Sequence, residues 1–171
     1  IFGVVGERVE DLDRFAEAYY RGDHYTQGEL LGYPECCRKF FINAWSAGEY
    51  DPIYLIAANT GIGRNLVVKG DPLLNVMVRY VGLRFIFFFP CSFRCENARE
   101  FALHVLDLMK KEDKGMLRTA LEILSMPVTW SQVNGIIEVT VGDIFKIIAG
   151  GYTGEKQFIR FEPLYDPRGL V

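Results

Sequence analysis

All four cysteines of the 171-residue chain lie in two short segments, each of which contains a proline. Cys36 and Cys37 are adjacent in GYPECCRKFF, and Cys91 and Cys95 form a CxxxC pair in FFPCSFRCENA. Thiolates that share one metal ion or one iron–sulfur cluster stand within a few ångströms of each other. A shared site would therefore bring together two segments that are separated by residues 38–90.

Both cysteine segments are predicted to begin helices. Pro34 suits the first position of a helix, which would place the adjacent cysteines in the first helical turn. Ser92 suits an N-cap, which would place Cys91 just before a second helix and Cys95 at its third residue. The unpaired N–H groups and the positive end of the helix dipole at such positions favour ionised thiols.

The predicted site combines ligands and supporting residues. The predicted metal ligands are Cys36, Cys37, Cys91 and Cys95, with His24 as a candidate additional ligand and Ser92, Arg38 and Arg94 as supporting residues. The two arginines would add positive charge near the sulfurs, and this charge would help the thiols to ionise. Thiolates are the form that metals and redox chemistry require.

The cysteine spacing favours an iron–sulfur cluster over zinc. Structural zinc sites commonly use C-x₂₋₄-C pairs, so the CxxxC pair fits such a site. Adjacent cysteines point to different sides and should not both reach one small ion without distortion. A cluster offers several irons, so the adjacent pair could bind two of them. One of the adjacent cysteines could instead be a spectator, which would leave three ligands and an open position.

The two histidines differ in their relation to the cysteines. His104 lies nine residues after Cys95, a rotation of about 900° along a helix, so it should project from the opposite side. His24 precedes Cys36 in a predicted loop, where Asp23 could orient its ring. A lone loop histidine is more often a surface or capping residue than a ligand.

The cysteines also allow functions without a metal. Free cysteines are commonly buried, so all four could pack in the core of a non-enzymatic interaction domain. A cysteine of the first segment could form a structural disulfide with one of the second. In a thiol redox protein, Cys91 or Cys36 would be the nucleophile and its neighbour the resolving cysteine. Whether the protein is an enzyme stays open at this point.

The remaining pattern predicts a single α+β domain over residues 1–171. A helix-rich part covers about residues 7–125 and includes one buried strand in the apolar run LRFIFFF, residues 83–89. A β-hairpin and meander part covers about residues 127–163. There VTWSQV and IIEVTV flank Asn134-Gly135, a strong hairpin signal, and FKIIAG and FIRFEPL extend the hairpin into a small antiparallel sheet.

Composition excludes some classes of protein. The formal net charge of −3 gives no strong nucleic-acid signal. The longest apolar run, GLRFIFFFPC, contains Arg84 and is far shorter than the roughly 20 residues that span a bilayer, so no membrane association is expected. A cytoplasmic protein is therefore expected. Because the chain begins at Ile1, it is expected to be part of a longer one. No partner or oligomeric state is indicated.

Three ordered motifs resemble an uncharacterised archaeal and bacterial family of unknown function. The motifs are LLGYPECCRKFF, then FFPCSFRCENA, then VTWSQVNGIIEVTV, and the resemblance covers roughly residues 26–150. It rests on a GYP-x-CC motif, a later PCS-x-x-C motif and a hydrophobic hairpin in fixed order. The resemblance implies that Ser92 and the four cysteines belong to one site, and it implies no activity.

Overall fold

The computed structural model describes residues 3–48, 52–133, 136–143, 145–149 and 158–171 of the chain. Within these ranges the protein is α+β, with six α-helices and one mixed sheet of five strands. The chain divides into two compact units, residues 1–50 and residues 51–171. Each unit is described by itself, and the single domain over residues 1–171 stays a prediction.

The first unit consists of three helices, α1 (Val9–Arg21), α2 (His24–Leu30) and α3 (Glu35–Ser46). Gly22 ends α1 with a φ of 68°, a left-handed conformation that glycine adopts at little cost. Asp23 caps α2, because its carboxylate accepts hydrogen bonds from the N–H of Thr26 at 3.0 Å and from the Thr26 hydroxyl at 2.6 Å. Asp23 therefore caps a helix. The sequence had suggested a different role for it, orientation of the His24 ring.

Helix α3 begins one residue later than predicted. Pro34 has a φ of −57° and a ψ of 138°, so it is the extended N-cap and not the first helical residue. Cys36 and Cys37 are consequently the second and third residues of α3. The prediction that both lie in the first helical turn is confirmed.

The second unit contains three helices, five strands and several 3₁₀ segments. The helices are α4 (Ile53–Thr60), α5 (Glu96–Glu112) and α6 (Lys114–Leu124), and the strands are β1 (Val67–Gly70), β2 (Val128–Val133), β3 (Ile136–Val141), β4 (Phe145–Ala149) and β5 (Ile159–Pro163). The 3₁₀ segments are Arg64–Leu66, Pro72–Leu74, Val76–Val81 and Pro167–Leu170. Asp71 and Asn75 each cap a 3₁₀ segment with a side-chain oxygen.

The sheet is mixed, with the strand order β1-β5-β2-β3-β4. Strands β2, β3 and β4 pair antiparallel in succession, and β5 pairs antiparallel with the other edge of β2. Strand β1 is parallel to β5, with Val68 opposite Phe161. The predicted antiparallel meander is therefore not confirmed, because the sheet includes a parallel strand from the helix-rich part. The predicted turn at Asn134-Gly135 lies outside the described residues.

Residues 83–89 do not form the predicted buried strand. Gly82 precedes them with a φ of 85°. Phe85 and Ile86 are both buried although they are adjacent, whereas Phe87 is 56% exposed. A strand covered on both faces would bury all of these side chains. A strand covered on one face would have buried and exposed side chains in alternation. The strand of the helix-rich part is instead β1, which buries Val68 completely.

One face of α5 is packed into the core of the second unit. Ala98, Ala102 and Leu106 are buried at intervals of four residues, which places them on the same side of the helix. Further buried side chains come from α6, β2, β3 and β5, among them Leu117, Leu121, Trp130, Val139 and Phe161. This packing holds the first turn of α5, which follows Cys95 directly.

Candidate metal centre

The adjacent cysteines place their sulfurs close together. The Sγ atoms of Cys36 and Cys37 are 3.9 Å apart, although the sequence predicts that the two side chains diverge. Cys37 is buried and Cys36 is half-buried. Successive side chains on a helix are rotated by about 100° about the helix axis. Suitable rotamers of the two cysteines can still bring their sulfurs together. The pair can therefore present two sulfurs to one small volume.

The second pair lies in a loop that leads into α5. Cys95 is the N-cap of α5, with extended backbone angles, and it is not the third helical residue. Ser92 is not the cap, because its Oγ accepts a hydrogen bond from the N–H of Arg94 at 3.2 Å within the loop. Cys91 lies four residues ahead of the cap, so only Cys95 of this pair adjoins a helix N-terminus.

Hydrogen bonds to neighbouring elements anchor the loop of residues 91–95. The N–H of Phe93 donates to the Thr60 hydroxyl at 2.7 Å, and the Phe93 carbonyl accepts from the N–H of Asp71 at 2.7 Å. The amide of Asn59 donates to the carbonyl of Cys91 at 3.0 Å. The end of α4 and the residue that follows β1 therefore hold the backbone that carries the CxxxC pair.

The loop also packs directly against β1. Phe93 is fully buried, and its ring lies edge-on to Phe161 with a centroid distance of 5.1 Å. A Cβ at Gly70 would lie 2.4 Å from the Cβ of Phe93 and 2.6 Å from the Phe161 ring. Such distances are far below van der Waals contact, so only glycine allows this approach.

We expect Gly70→Ala to lower the free energy of unfolding by about 3 kcal/mol, because the added methyl group must displace the loop or the Phe161 ring. Urea unfolding followed by circular dichroism measures the change. Gly169→Ala is the matched control, since a Cβ there meets no atom within 4 Å. Equal stability of the two variants would contradict the close packing of the loop against β1.

The four cysteines lie close together, as predicted. The four sulfur atoms all lie within 4.8 Å of one another. None of the four forms a disulfide, and Cys37 and Cys95 are buried while Cys36 and Cys91 are half-buried. The arrangement is compatible with a metal site made of four thiolates.

The predicted supporting arginines have defined partners. The guanidinium of Arg38 lies 4.4 Å from the centroid of the Tyr25 ring and 3.8 Å from the Glu29 carboxylate. The Nε of Arg94 donates to the carbonyl of Lys69 at 2.9 Å. These contacts fix the position of each guanidinium. That the two arginines promote ionisation of the thiols stays a prediction.

The histidines lie outside the cysteine group among the described residues. The ring of His24 lies edge-on to Phe41 and Trp45, with centroid distances of 6.0 and 5.9 Å. The Nδ1 of His104 lies 3.1 Å from the carbonyl oxygen of Glu100, one turn earlier in α5. The role of His24 as an additional ligand stays a prediction.

The buried carboxylate of Asp71 supports the loop, a role that the sequence pattern did not indicate. Asp71 accepts hydrogen bonds from the N–H of Leu73 at 2.9 Å and from the Tyr165 hydroxyl at 2.8 Å. Its second oxygen accepts from Arg99 Nε at 2.9 Å. Because Arg99 lies one turn after Cys95, this network ties the start of α5 to the residues that follow β1. The Asp71-Pro72 pair indicates a helix cap in the sequence, but it does not indicate the distant partners Arg99 and Tyr165.

Ionisation of Tyr165 is expected to lower the free energy of unfolding above about pH 10. Burial, and then the hydrogen bond and charge of Asp71, raise the pKa of the Tyr165 phenol above its ordinary value. The folded protein therefore retains this proton while the unfolded chain loses it, so the free energy of unfolding falls as pH rises through this range. Urea unfolding at about pH 9 and pH 11 should show a smaller decrease for Tyr165→Phe, and an identical decrease would contradict the assignment.

The chain has no match among protein-family models, curated proteins or solved structures. The resemblance to a family of unknown function thus stays a prediction. Among the described residues, no helix combines the length and the apolar character that a membrane crossing requires.

Proposed function

We propose that the protein binds one metal ion, zinc or a single iron, through the thiolates of Cys36, Cys37, Cys91 and Cys95. The observation that carries this proposal is the mutual distance of the four sulfurs, all within 4.8 Å. A tetrahedral ion with metal–sulfur bonds of about 2.3 Å holds its sulfurs about 3.8 Å apart. The 3.9 Å between the adjacent cysteines is close to this edge length.

A single ion suits these distances better than an iron–sulfur cluster. In a cuboidal cluster each thiolate binds a different iron, and inorganic sulfides lie between the irons. The thiolate sulfurs therefore stand farther apart than they do around one ion. Adjacent cysteines whose side chains diverge would favour a cluster, but the sulfurs of Cys36 and Cys37 lie only 3.9 Å apart.

The ligand set favours a structural ion over a catalytic one. Four cysteines complete a tetrahedral coordination shell, whereas a catalytic zinc keeps one position open for water or substrate. An ion that binds only the folded chain stabilises it by the free energy of binding. The proposed role of the ion is therefore to stabilise the fold.

The loop that carries Cys91 and Cys95 is prepared for this role. The hydrogen bonds to Phe93 and the burial of its ring hold the loop backbone by contacts that do not involve sulfur. A ligand loop that is already ordered loses less conformational entropy when the metal binds. The anchors of the loop thus contribute to metal affinity.

Metal analysis of protein purified anaerobically and without added metal tests the proposal. We expect about one zinc or iron per chain, and close to none in Cys95→Ser because a tetrahedral site loses one of its four ligands. Ser92→Ala is the matched control, since Ser92 lies in the same loop and carries no sulfur. It should retain the wild-type metal content.

The alternatives give different results in the same experiment. Several irons per chain with acid-labile sulfide and visible absorption would replace the single ion with a cluster. A metal-free protein with four titratable thiols, or with two disulfides, would reject both metal sites. Such a result would favour an interaction domain with buried cysteines or a thiol redox protein.

A further inference from the structure

The second unit contains a cavity that the cysteine site does not use. The cavity has a volume of about 260 Å³ and lies between the third 3₁₀ segment, Val76–Val81, and residues 83–89. Its walls are mostly apolar and include the phenylalanines of the run that ends at Phe89. Three polar side chains also line it, namely Asn75, Arg79 and Arg84.

Asn75 contributes a buried amide to the wall of the cavity. The side chain is 3% exposed, and its Oδ1 accepts a hydrogen bond from the N–H of Met77 at 3.2 Å as a helix cap. This bond defines which amide atom is oxygen, because only the oxygen can accept. The Nδ2 group has no acceptor among the described residues. Buried donors are nearly always bonded, so an unused one at a cavity wall points to an acceptor that the cavity takes up.

Arg79 provides a positive charge that is held in place at the cavity. Its guanidinium donates to the carbonyl of Val76 and to the Tyr80 hydroxyl, both at 2.7 Å. It also lies 4.2 Å from the centroid of the Tyr80 ring and 5.0 Å from that of Phe89. A guanidinium held by such contacts loses little freedom when it pairs with an anion. Arg84 adds a second, exposed positive charge at the same cavity.

We propose that this cavity binds a small organic anion with an apolar body. The apolar part would lie against the phenylalanines, and the anionic group would accept hydrogen bonds from Asn75 and from the arginines. No aspartate or glutamate is among the described residues that line the cavity, so nothing there opposes an anion. The volume restricts the ligand to about the size of one substituted ring or a short aliphatic chain. This inference is independent of the metal centre.

Isothermal titration calorimetry with three probes of similar shape tests the proposal. Benzoate and phenyl phosphate carry the anionic group as a carboxylate and a phosphate, and benzamide is a neutral analogue of benzoate. At least one anion should bind saturably below about 10 mM, about tenfold more tightly than benzamide. The tighter of the two anions identifies the anionic group. Absence of saturable binding of both anions, or equal affinity for benzamide, would overturn the proposal.

Two matched variants locate the binding site. Arg84→Gln removes an exposed charge at the cavity and should weaken anion binding roughly threefold without affecting folding. Arg118→Gln makes the same change on α6, away from the lining residues, and should leave the affinity unchanged. Equal affinities of these two variants would overturn the assignment to this cavity. Asn75→Asp keeps a capping oxygen but replaces the donor, and if it folds it should lose anion binding.

Discussion

Removal of the proposed metal ion with a chelator, with the thiols kept reduced, is expected to lower the free energy of unfolding by about 4 kcal/mol. This is the stabilisation that a ligand provides at about a thousand times its dissociation constant. For a chain of this size it corresponds to a decrease in melting temperature of about 10 °C. Thermal unfolding followed by circular dichroism, before and after chelation, measures the effect. Addition of zinc or iron should restore the melting temperature.

Cys95→Ser serves as the control for this chelation experiment. Because the variant lacks one of the four ligands, it should not bind the ion, and the chelator should leave its melting temperature unchanged. If the chelator lowers both melting temperatures equally, the effect does not arise at the cysteines. A wild-type protein that loses its metal completely and melts at the same temperature would contradict the structural role of the ion.

Phe93→Ala is expected to lower the free energy of unfolding by about 4 kcal/mol, because it removes a fully buried ring and leaves a cavity against Phe161. Phe87→Ala is the matched control, since Phe87 is 56% exposed and should cost less than about 1 kcal/mol. Urea unfolding of both variants measures the difference. If the two variants are equally stable, Phe93 does not anchor the loop in the core.

The same variant should also weaken metal binding. Phe93 holds the backbone between Cys91 and Cys95 without touching the metal itself, so its loss should reduce metal affinity by about tenfold, as for other residues that orient ligands. Competition with a chromogenic chelator measures this affinity. Phe87→Ala should bind the metal with wild-type affinity. Unchanged affinity in Phe93→Ala would show that the loop needs no support from its core anchor.

The elements that the sequence predicted well are those specified by local signals. The two strands of the predicted hairpin, β2 and β3, follow from their alternating β-branched residues. Residues 83–89 were predicted wrongly because a short apolar run without alternation does not distinguish a strand from irregular buried chain. The parallel pairing of β1 with β5 joins distant parts of the chain, and no local signal specifies such a partner.

The sequence predicted the ligands of the candidate site, but it did not predict the residues that hold those ligands in position. Cysteine is rare enough, and reactive enough, that four in two segments indicated a shared site. The residues that position the CxxxC loop are Thr60, Gly70 and Asp71. Each is an ordinary residue type whose role depends on a contact with a residue more than twenty positions away. Ser92 was predicted as the cap of α5 because its side chain suits that role, but its hydroxyl bonds within the loop instead.

X-ray absorption at the zinc or iron edge of the purified protein tests the central claim most directly. A single ion held by Cys36, Cys37, Cys91 and Cys95 predicts one shell of four sulfurs at about 2.3 Å and no scattering from a second metal. A shell that contains nitrogen or oxygen neighbours, or a nearby second iron, would contradict a single ion with four thiolate ligands.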